Sequence, residues 1–380
     1  MVSIVGMRAT RTRSVQLGEY DPFMIVLAGV LTLFGIVTIW SANGGGPVTL
    51  GSPVTRQTFY AFAGVVAMYF LSSINYRFLK SFAVVVYLGT LLMLASLMVI
   101  GANIAGSVRW IVVGPFSFQP SEIAKVTITI ALAAFISERH DEMDRLINYL
   151  ISIALVALPM GLVFLQPDLG TTGVFAAIWF AMLAMSSTRV LYLIATVLLA
   201  IPGAFFAWSF LMQPYQKDRL LVSFDPNRDY FGQGYNIIQA QVAIGSAGWF
   251  GHGLSGGSQS EFQLLGVRTT DFIFAHAMSM FGFVGGIALF LVFALLLWRM
   301  SRTASIARDT FGQQLAIGIS AMVFFQTFIN IGMNLGIMPV TGIPLPFISL
   351  GGTSLFTVLA SIGILQSIIL NHRKLGFQAL

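Results

Sequence analysis

Long runs of apolar residues, separated by short polar or glycine- and proline-containing breaks, constrain the fold of this chain more than any other feature. A bilayer core about 30 Å thick needs roughly 20 apolar residues per helix. About ten runs meet this need, at approximately residues 22–42, 57–75, 80–100, 120–137, 147–165, 169–187, 189–211, 271–298, 312–335 and 347–371. They are too long for the strands of a lipid-facing barrel and lack its alternation of apolar and polar residues. The pattern predicts an all-α, polytopic membrane protein with about ten transmembrane helices.

The composition agrees with lipid as the solvent of most side chains. Hydrophobic residues make up 57% of the chain and charged residues only 9%, whereas a soluble domain carries about 25% charged residues. The chain has no cysteine, which excludes disulfides and thiolate metal sites. The first apolar run lacks a small-residue cleavage site, so we interpret it as an uncleaved helix.

The distribution of Lys and Arg predicts the orientation in the membrane. Positive residues are retained on the cytoplasmic side, and here they are concentrated in the N-terminal segment and in every second loop after it. This bias places both termini in the cytoplasm, with about 21 residues before the first helix. It also accounts for most of the net charge of +6. Contact with anionic membrane lipid is a secondary interpretation, and no nucleic acid partner is expected.

One connection is much longer than the others. Residues 212–270, between the seventh and eighth predicted helices, form an extracytoplasmic segment rich in glycine and polar residues. Loops of this length are usually functional or disordered. An apolar set in this loop favours packing on the bundle or in the membrane interface, and it consists of Tyr235, Ile237, Ile238, Val242, Ile244, Trp249 and Phe250. No repeat or appended soluble domain is evident, so residues 1–380 are predicted to form one domain.

Charged residues inside apolar runs are costly, about 2.5–3.5 kcal/mol each near the bilayer centre, and they mark paired or functional positions. Glu122 and Lys125 are three residues apart at the start of the fourth predicted helix, so they share one face and can pair. They form either a structural ion pair or a site for a charged headgroup. Arg109, beside Trp110 at the exterior interface, is either a membrane anchor or a residue whose guanidinium binds phosphate.

Two aspartates stand at the exterior starts of predicted helices. Asp168, in QPDLGTTG, is either the N-cap of the sixth helix or a functional carboxylate. Asp271, in RTTDFIFAH, closes the long exterior segment. It is either an N-cap or a base whose pKa is raised by partial desolvation at the membrane edge. His276 follows on the same apolar helix, either as a packing residue or as a group that supports Asp271.

Several other reaction classes have no support in the sequence. It contains no HExxH, no glycine-rich phosphate loop after a strand and no Cys/His zinc spacing. Its one GxSxG match, GLSGG at 253–257, lies in the long glycine-rich segment and not between a strand and a helix, as a nucleophile elbow requires. Soluble-type hydrolase, nucleotide-binding and metalloprotease chemistry therefore have no basis here, and no organic cofactor is expected.

Five ordered motifs, spread over nearly the whole chain, resemble the SEDS family (shape, elongation, division and sporulation), whose members include RodA, FtsW and SpoVE. They are GSVRWIVVGPFSFQPSEIAK at 106–125, QPDLGT at 166–171, YNIIQAQVAIGSAGWFGHGLSGGSQ at 235–259, RTTDFIFA at 268–275 and NIGMNLGIMPVTGIPLPFISLGGTSL at 330–355. The sequences PVTGIPLPFIS and YNIIQAQVAIGS are more similar to the RodA branch of the family than to the FtsW branch.

The resemblance implies a peptidoglycan glycosyltransferase that polymerises lipid II during cell-wall elongation, at the outer face of the bacterial cytoplasmic membrane. It also implies a class B penicillin-binding protein as the crosslinking partner. Asp271 matches the essential aspartate of the family and is the expected general base, which takes a proton from the 4-hydroxyl of the acceptor sugar. The residues expected to bind substrate are Arg109, Glu122, Lys125, Asp168, Gln259 and Arg268, and those expected to support the site are His276 and Ser349. A divalent cation, Mg²⁺ or Mn²⁺, is expected to help neutralise the leaving pyrophosphate, with ligands that the motifs do not identify.

The chain departs from the family pattern at two places. Family members commonly carry an acidic pair, as in AEELG, where this chain has Ser279 and Met280, and Tyr is usual at the position of Leu350. Two other functions stay open beside the enzyme, a flippase that moves lipid II across the membrane and a non-catalytic scaffold that activates the penicillin-binding protein. A flippase predicts broken helices with charges near the bilayer midplane, whereas most of the charged candidate site residues here lie at the exterior rim.

Overall fold

The computed structural model describes residues 20–49, 51–100, 102–104, 107–113, 116–230, 232–254 and 269–373. The α-helices in these ranges are α1 Pro22–Ala42, α2 Pro53–Ser73, α3 Arg77–Ser81, α4 Ala83–Ile100, α5 Pro120–Glu138, α6 Leu146–Leu165, α7 Leu169–Ala184, α8 Val190–Phe206, α9 Pro214–Phe224, α10 Gln233–Ser246, α11 Ile273–Ile306, α12 Thr310–Asn334 and α13 Gly352–Arg373. A π-helical turn, Ala207–Leu211, extends α8, and 3₁₀ turns lie at His140–Glu142 and Pro226–Asp229.

Ten of these helices correspond to the ten predicted spans. Seven of them, α1, α5, α6, α8, α11, α12 and α13, are long and apolar enough to cross a membrane by length and composition. Two shorter apolar helices are α4 and α7, and α2, with 21 residues, occupies the tenth position. The predicted polytopic helical bundle is confirmed.

Three helices form the centre of the bundle, because most residues of α5, α12 and α13 are buried. Helix α13 packs along α2 at close range, and a Cβ atom at Gly363 would lie only 2.4 Å from the carbonyl oxygen of Met68. Helix α8 lies at the periphery, where no residue of Val190–Leu211 is buried. The core therefore sits between α2, α5, α12 and α13, with α8 left to the surrounding lipid.

A small antiparallel sheet, which the sequence did not predict, lies between α4 and α5 in the otherwise helical bundle. Strand β1 (Ala102–Ile104) pairs with β2 (Ser107–Val113), and β2 pairs with β3 (Phe116–Phe118). The β-branched and aromatic residues of SVRWIVV fit a pleated surface. These strands are short beside apolar runs of about 20 residues, which is why hydropathy patterning does not detect them.

The described part of the long exterior segment is folded. It contains α9, the 3₁₀ turn and α10. A small cluster of buried residues holds these helices against the start of α11, and it consists of Val222, Ile237, Ala240, Phe272 and Ala275. The expected packing on the bundle is confirmed for Ile237, whereas the side chains of Trp249 and Phe250 are exposed.

Helix α11 is broken at Gly282, whose backbone dihedrals of φ 64° and ψ −164° are not helical. A break leaves backbone groups without helical partners, and the segment that follows α10 supplies them. The His252 N–H donates to the Ser279 carbonyl at 2.9 Å, and the Phe283 N–H donates to the Gly248 carbonyl at 3.0 Å. The exterior segment therefore reaches into the bundle beside α11.

Charged residues join several helices at the opposite end of the bundle from Asp271. The Arg299 Nη2 of α11 lies 2.6 Å from the Asp21 Oδ2, just before α1. The Asp21 N–H donates to the Gln366 Oε1 of α13 at 2.9 Å. The first and last described helices thus have their termini at one end of the bundle, and the aspartates of the candidate site lie at the other.

Candidate active site

Two asparagines near the end of α12 hold the backbone of Asp271. The Asn334 Nδ2 donates to the Asp271 carbonyl at 2.9 Å, and the Asn330 Nδ2 donates to the same oxygen at 3.3 Å. Both asparagines are fully buried. The N-cap interpretation of Asp271 is wrong, because Phe272 occupies the N-cap position of α11 and no side chain caps that helix.

The connection between α12 and α13 closes around the segment before α11. The Ser349 Oγ donates to the Thr270 carbonyl at 2.7 Å, and the Leu350 N–H donates to the Thr269 carbonyl at 2.8 Å. Ser349 therefore fixes the backbone next to Asp271, and its supporting role in the site stays a prediction. Leu350 contributes its main chain, which a tyrosine would supply equally well, so this departure from the family pattern leaves the hydrogen bond unchanged.

Asp168 caps α7 and also contacts Arg109. Its Oδ1 accepts the Thr171 N–H at 3.0 Å, and its Oδ2 accepts the Thr171 hydroxyl at 2.9 Å. The Arg109 Nη1, on β2, lies 3.4 Å from the same Oδ2. The Asp168 side chain is buried and the Arg109 side chain is 19% exposed. The cap therefore also orients a guanidinium that solvent can still reach.

The Asp271 carboxyl lies in the field of Arg109, Arg219 and Asp168. Burial raises its pKa above the ordinary value for aspartate. The two guanidinium groups oppose this rise and the Asp168 carboxylate adds to it. Asp271 nevertheless keeps partial access to solvent. A reachable carboxylate with a raised pKa has the properties of a general base.

Arg219 belongs to this site, although the sequence suggests only an exterior charge. It lies on α9, which is tied to the loop after α12 because the Val340 N–H donates to the Ser223 Oγ at 3.0 Å. The Arg219 Nε is buried and has no hydrogen-bond partner among the described residues. A guanidinium N–H in this position suits an anionic oxygen of a ligand. The amphipathic run PYQKDRLLVSF is the signal that could have identified it.

Glu122 and Lys125 form a buried ion pair in α5. The Lys125 Nζ lies 2.7 Å from the Glu122 Oε1, and their side chains are only 2–3% exposed. The ion-pair interpretation is confirmed. A headgroup-binding role stays a prediction, and it requires the pair to open, because neither side chain faces solvent in this conformation.

His276 is a buried residue of the first half of α11. Its Nε2 lies 3.1 Å from the Ser41 Oγ, which in turn donates to the Leu254 carbonyl at 2.7 Å. His276 therefore links α1 to the end of the exterior segment. This geometry supports the packing interpretation, and its contribution to the site acts through the position of α11.

Ser279 and Met280, which replace the usual acidic pair, lie beside the break in α11. Both are buried. Their carbonyls accept the N–H groups of His252 and Gly253 at 2.9 and 3.0 Å. The backbone at this position is engaged in joining the exterior segment to α11, whichever side chains it carries.

Arg268 and Gln259 lie outside the described residues, so their substrate-binding roles stay predictions. In the ranges that the structure does describe, no group of three or more His, Cys, Asp or Glu residues could hold a metal. Asp168 already accepts hydrogen bonds from Thr171 through both oxygens. The described residues therefore do not build a protein cage for a divalent cation.

Comparison with known proteins places the chain in a family. The family model of FtsW, RodA and SpoVE, described as cell cycle protein, matches residues 21–374. The chain belongs to this family. The resemblance of its five motifs to SEDS proteins is thereby confirmed.

Curated relatives of this SEDS chain carry enzyme and sporulation names. The chain is 37% identical over 366 residues to the peptidoglycan glycosyltransferase MrdB of Escherichia coli (strain K12), covering 93% of this chain and 94% of the relative. It is 33% identical over 355 residues to the stage V sporulation protein E of Bacillus subtilis (strain 168), covering 92% of this chain and 96% of the relative.

Solved structures of SEDS proteins share the fold. A chain from a peptidoglycan synthase complex that coordinates polymerization and crosslinking aligns with a TM-score of 0.81 at 30% identity, covering 93% of this chain and 99% of that chain. The rod shape determining protein RodA of Thermus thermophilus aligns with a TM-score of 0.69 at 28% identity, covering 93% of this chain and 97% of that chain.

Proposed function

We propose that this SEDS protein is a peptidoglycan glycosyltransferase that polymerises lipid II into glycan strands during cell-wall elongation. The observation that carries the proposal is the Asp271 carboxyl, which has a raised pKa, partial solvent access and two arginines in its field. The glycosyltransferase name of the MrdB relative, which aligns over nearly the whole chain, supports it.

Asp271 acts as the general base of the reaction. Its carboxylate takes the proton from the acceptor sugar 4-hydroxyl while that oxygen attacks the anomeric carbon of the donor. The bond from that carbon to undecaprenyl pyrophosphate breaks, and the pyrophosphate leaves with the electron pair. General-base assistance of this kind contributes about 10²- to 10⁴-fold to a rate. Asn330 and Asn334 hold the Asp271 backbone and so fix the direction of the carboxylate.

Arg109 and Arg219 are the cations that stabilise the leaving pyrophosphate. Fixed positive charge at a developing anion is a major source of catalytic stabilisation. Arg109 is held by Asp168 at 3.4 Å, and Arg219 offers a buried Nε without a partner in the described structure. A divalent cation carried in with the pyrophosphate would supply further positive charge. No step assigned to the protein residues depends on it.

The lipid tail of the substrate fits a groove at the same end of the bundle. An apolar groove of about 720 Å³ lies between α4, α6 and the end of α8, with Leu92, Gly161 and Phe210 among its walls. Leu165 also lines it, and Asp168 follows only three residues later in the chain. A polyprenyl chain in this groove would therefore leave its pyrophosphate close to Arg109.

The proposed setting is the bacterial cytoplasmic membrane, with both termini in the cytoplasm and Asp271 on the extracytoplasmic side. The excess of Lys and Arg at the end opposite Asp271 supports this orientation. A class B penicillin-binding protein is the proposed partner, because the related chain belongs to a complex that couples polymerization with crosslinking.

The flippase alternative requires a broken helix with charges near the midplane. Helix α11 is broken at Gly282, but backbone groups of the exterior segment fill the break. The buried charges of α5 form an ion pair with each other, with 2.7 Å between the Lys125 Nζ and the Glu122 Oε1. These observations favour the enzyme.

The test is polymer formation from lipid II by the purified protein with its partner, whose transpeptidase is blocked. We expect glycan polymer from the unchanged protein and at least about a 100-fold loss in Asp271→Asn. Asp218→Asn, an exposed position on α9, is the matched control and should polymerise normally. Full activity in Asp271→Asn would refute the general base. A stable complex without polymer from any form would indicate the scaffold, and lipid II translocation without polymer would indicate the flippase.

A further inference from the structure

A second groove lies at the end of the bundle opposite Asp271. It has a volume of about 440 Å³ and runs between α4, α5 and α6. Its floor is made partly of small residues, since Ala83, Ala131 and Ala134 line it where larger side chains would fill the space. Val84 and Leu88 of its wall are 70% and 52% exposed. The groove is therefore open to the hydrocarbon that surrounds the bundle.

The mouth of this groove is charged. Lys80, Glu138 and Arg139 line it together with the apolar residues. The Lys80 Nζ lies 3.9 Å from the Glu138 Oε1, and both side chains are solvent-accessible. The Arg139 guanidinium stands 4.6 Å from the centre of the Phe135 ring, which is part of the groove wall. Two cations and one carboxylate leave one net positive charge where the apolar walls end.

Two other apolar grooves of the described structure lack this combination. The groove between α11 and α12, about 390 Å³, is lined by apolar residues and Thr327 and has no charged residue. The groove proposed for the polyprenyl tail also has only apolar lining. Such grooves can take an acyl chain but cannot select a headgroup. The groove at Lys80 and Arg139 presents both an acyl-sized apolar channel and cations at its mouth.

We propose that this groove binds an anionic phospholipid, with one acyl chain between α4, α5 and α6 and the headgroup phosphate between Lys80 and Arg139. The lipid comes from the leaflet opposite the catalytic site. Arg139 binds the phosphate through its guanidinium fork, and the Phe135 ring holds that fork at the groove mouth. Glu138 opposes the phosphate charge and limits the affinity.

Native mass spectrometry of the purified full chain, titrated with phosphatidylglycerol and with phosphatidylcholine, tests the site. We expect tighter binding of phosphatidylglycerol, and Lys80→Gln and Arg139→Gln should each weaken it about fivefold, or about 1 kcal/mol per cation. Glu138→Gln should strengthen it, because the opposing charge is lost. Ala131→Leu, which fills the groove, should weaken binding of both lipids.

Matched controls separate this site from general attraction of lipid to basic residues. Arg145 lies at the same end of the bundle outside the groove, paired with Glu142 at 2.9 Å, so Arg145→Gln should leave binding unchanged. Ala294→Leu makes the same change as Ala131→Leu in the uncharged groove between α11 and α12. Equal losses in Arg139→Gln and Arg145→Gln, or no gain in Glu138→Gln, would overturn the proposal.

Discussion

The Asn334 side chain links the Asp271 carbonyl to the Ala275 N–H. Its Nδ2 donates to the Asp271 carbonyl at 2.9 Å, and its Oδ1 accepts the Ala275 N–H at 3.0 Å. One buried amide on α12 therefore sets the position of the Asp271 backbone relative to the first turn of α11.

Asn334→Ala should lower the polymerisation rate constant roughly 10- to 100-fold with little change in KM, because small displacements of a catalytic group have effects of this size. Steady-state polymerisation over a range of lipid II concentrations measures both constants. Asn371→Ala is the control, since the Asn371 Nδ2 donates to the Ser367 carbonyl and hydroxyl of its own helix at the opposite end. A rise in KM at constant rate would show that Asn334 acts on binding instead.

Arg219→Gln should shift the acidic limb of the pH–rate profile to higher pH. Arg219 lowers the pKa of Asp271, so its removal lets burial raise that pKa further, and the base is protonated over a wider range. The value of kcat/KM should also fall roughly tenfold, because a charge-assisted hydrogen bond to the pyrophosphate is lost. Arg228→Gln, at an exposed position in the same exterior segment, should leave the profile in place.

Two aspartates at opposite ends of the bundle should respond to the same substitution with opposite signs. Burial raises the pKa of Asp271 in the folded protein. As pH rises, the unfolded state therefore loses this proton at a lower pH than the folded state does. Ionisation of Asp271 then lowers the stability of the fold at every pH above the unfolded pKa. For Asp309, burial raises the pKa, but hydrogen bonds from Gly312, Arg77 and Tyr76 more than offset this and lower it overall. That carboxylate stabilises the fold above the unfolded pKa, and the stabilisation is lost as pH falls through the folded pKa.

Thermal unfolding at neutral and at acid pH measures this contrast. Asp271→Asn should raise the midpoint temperature of unfolding at neutral pH. It should have no effect at a pH where the Asp271 carboxyl is protonated in both the folded and the unfolded state. Asp309→Asn should lower the midpoint at neutral pH by the equivalent of roughly 1 kcal/mol, with a smaller effect in acid. A lower midpoint for Asp271→Asn at neutral pH would contradict the raised pKa.

Gly282→Ala should separate the exterior segment from α11. Gly282 has a φ of 64°, and a Cβ there would lie 2.3 Å from the Gly251 nitrogen and 2.6 Å from the Phe250 nitrogen. Backbone atoms cannot move aside as a flexible side chain can, so we expect a loss of several kcal/mol in stability together with loss of activity.

Gly89→Ala is the matched control for this substitution. A Cβ at Gly89 meets nothing within 4 Å, and in helix α4 the change should stabilise by about 0.5–1 kcal/mol. Thermal unfolding and limited proteolysis of the 248–254 segment measure both variants. Equal unfolding temperatures and equal proteolysis rates for Gly282→Ala and Gly89→Ala would show that the break in α11 does not hold the 248–254 segment.

The sequence determined the spans, because hydropathy acts locally and each run of about 20 apolar residues must satisfy its own backbone as a helix. It also determined the Glu122–Lys125 pair, since residues three apart on a helix are neighbours in any fold. The Asp168 cap follows equally from local spacing. Asp271 was identified through a motif rather than through a contact.

Only the tertiary structure decided which distant groups meet around Asp271. Arg219 and Asn334 lie 52 and 63 residues away from it in the chain, and their approach depends on how α9 and α12 pack, which no local pattern encodes. The small sheet that carries Arg109 and the break at Gly282 likewise depend on partners from other segments. Local hydrophobicity selects helices in a bilayer, whereas the site arises from hydrogen bonds and charges between helix ends, whose partners are set by the packing of the whole bundle.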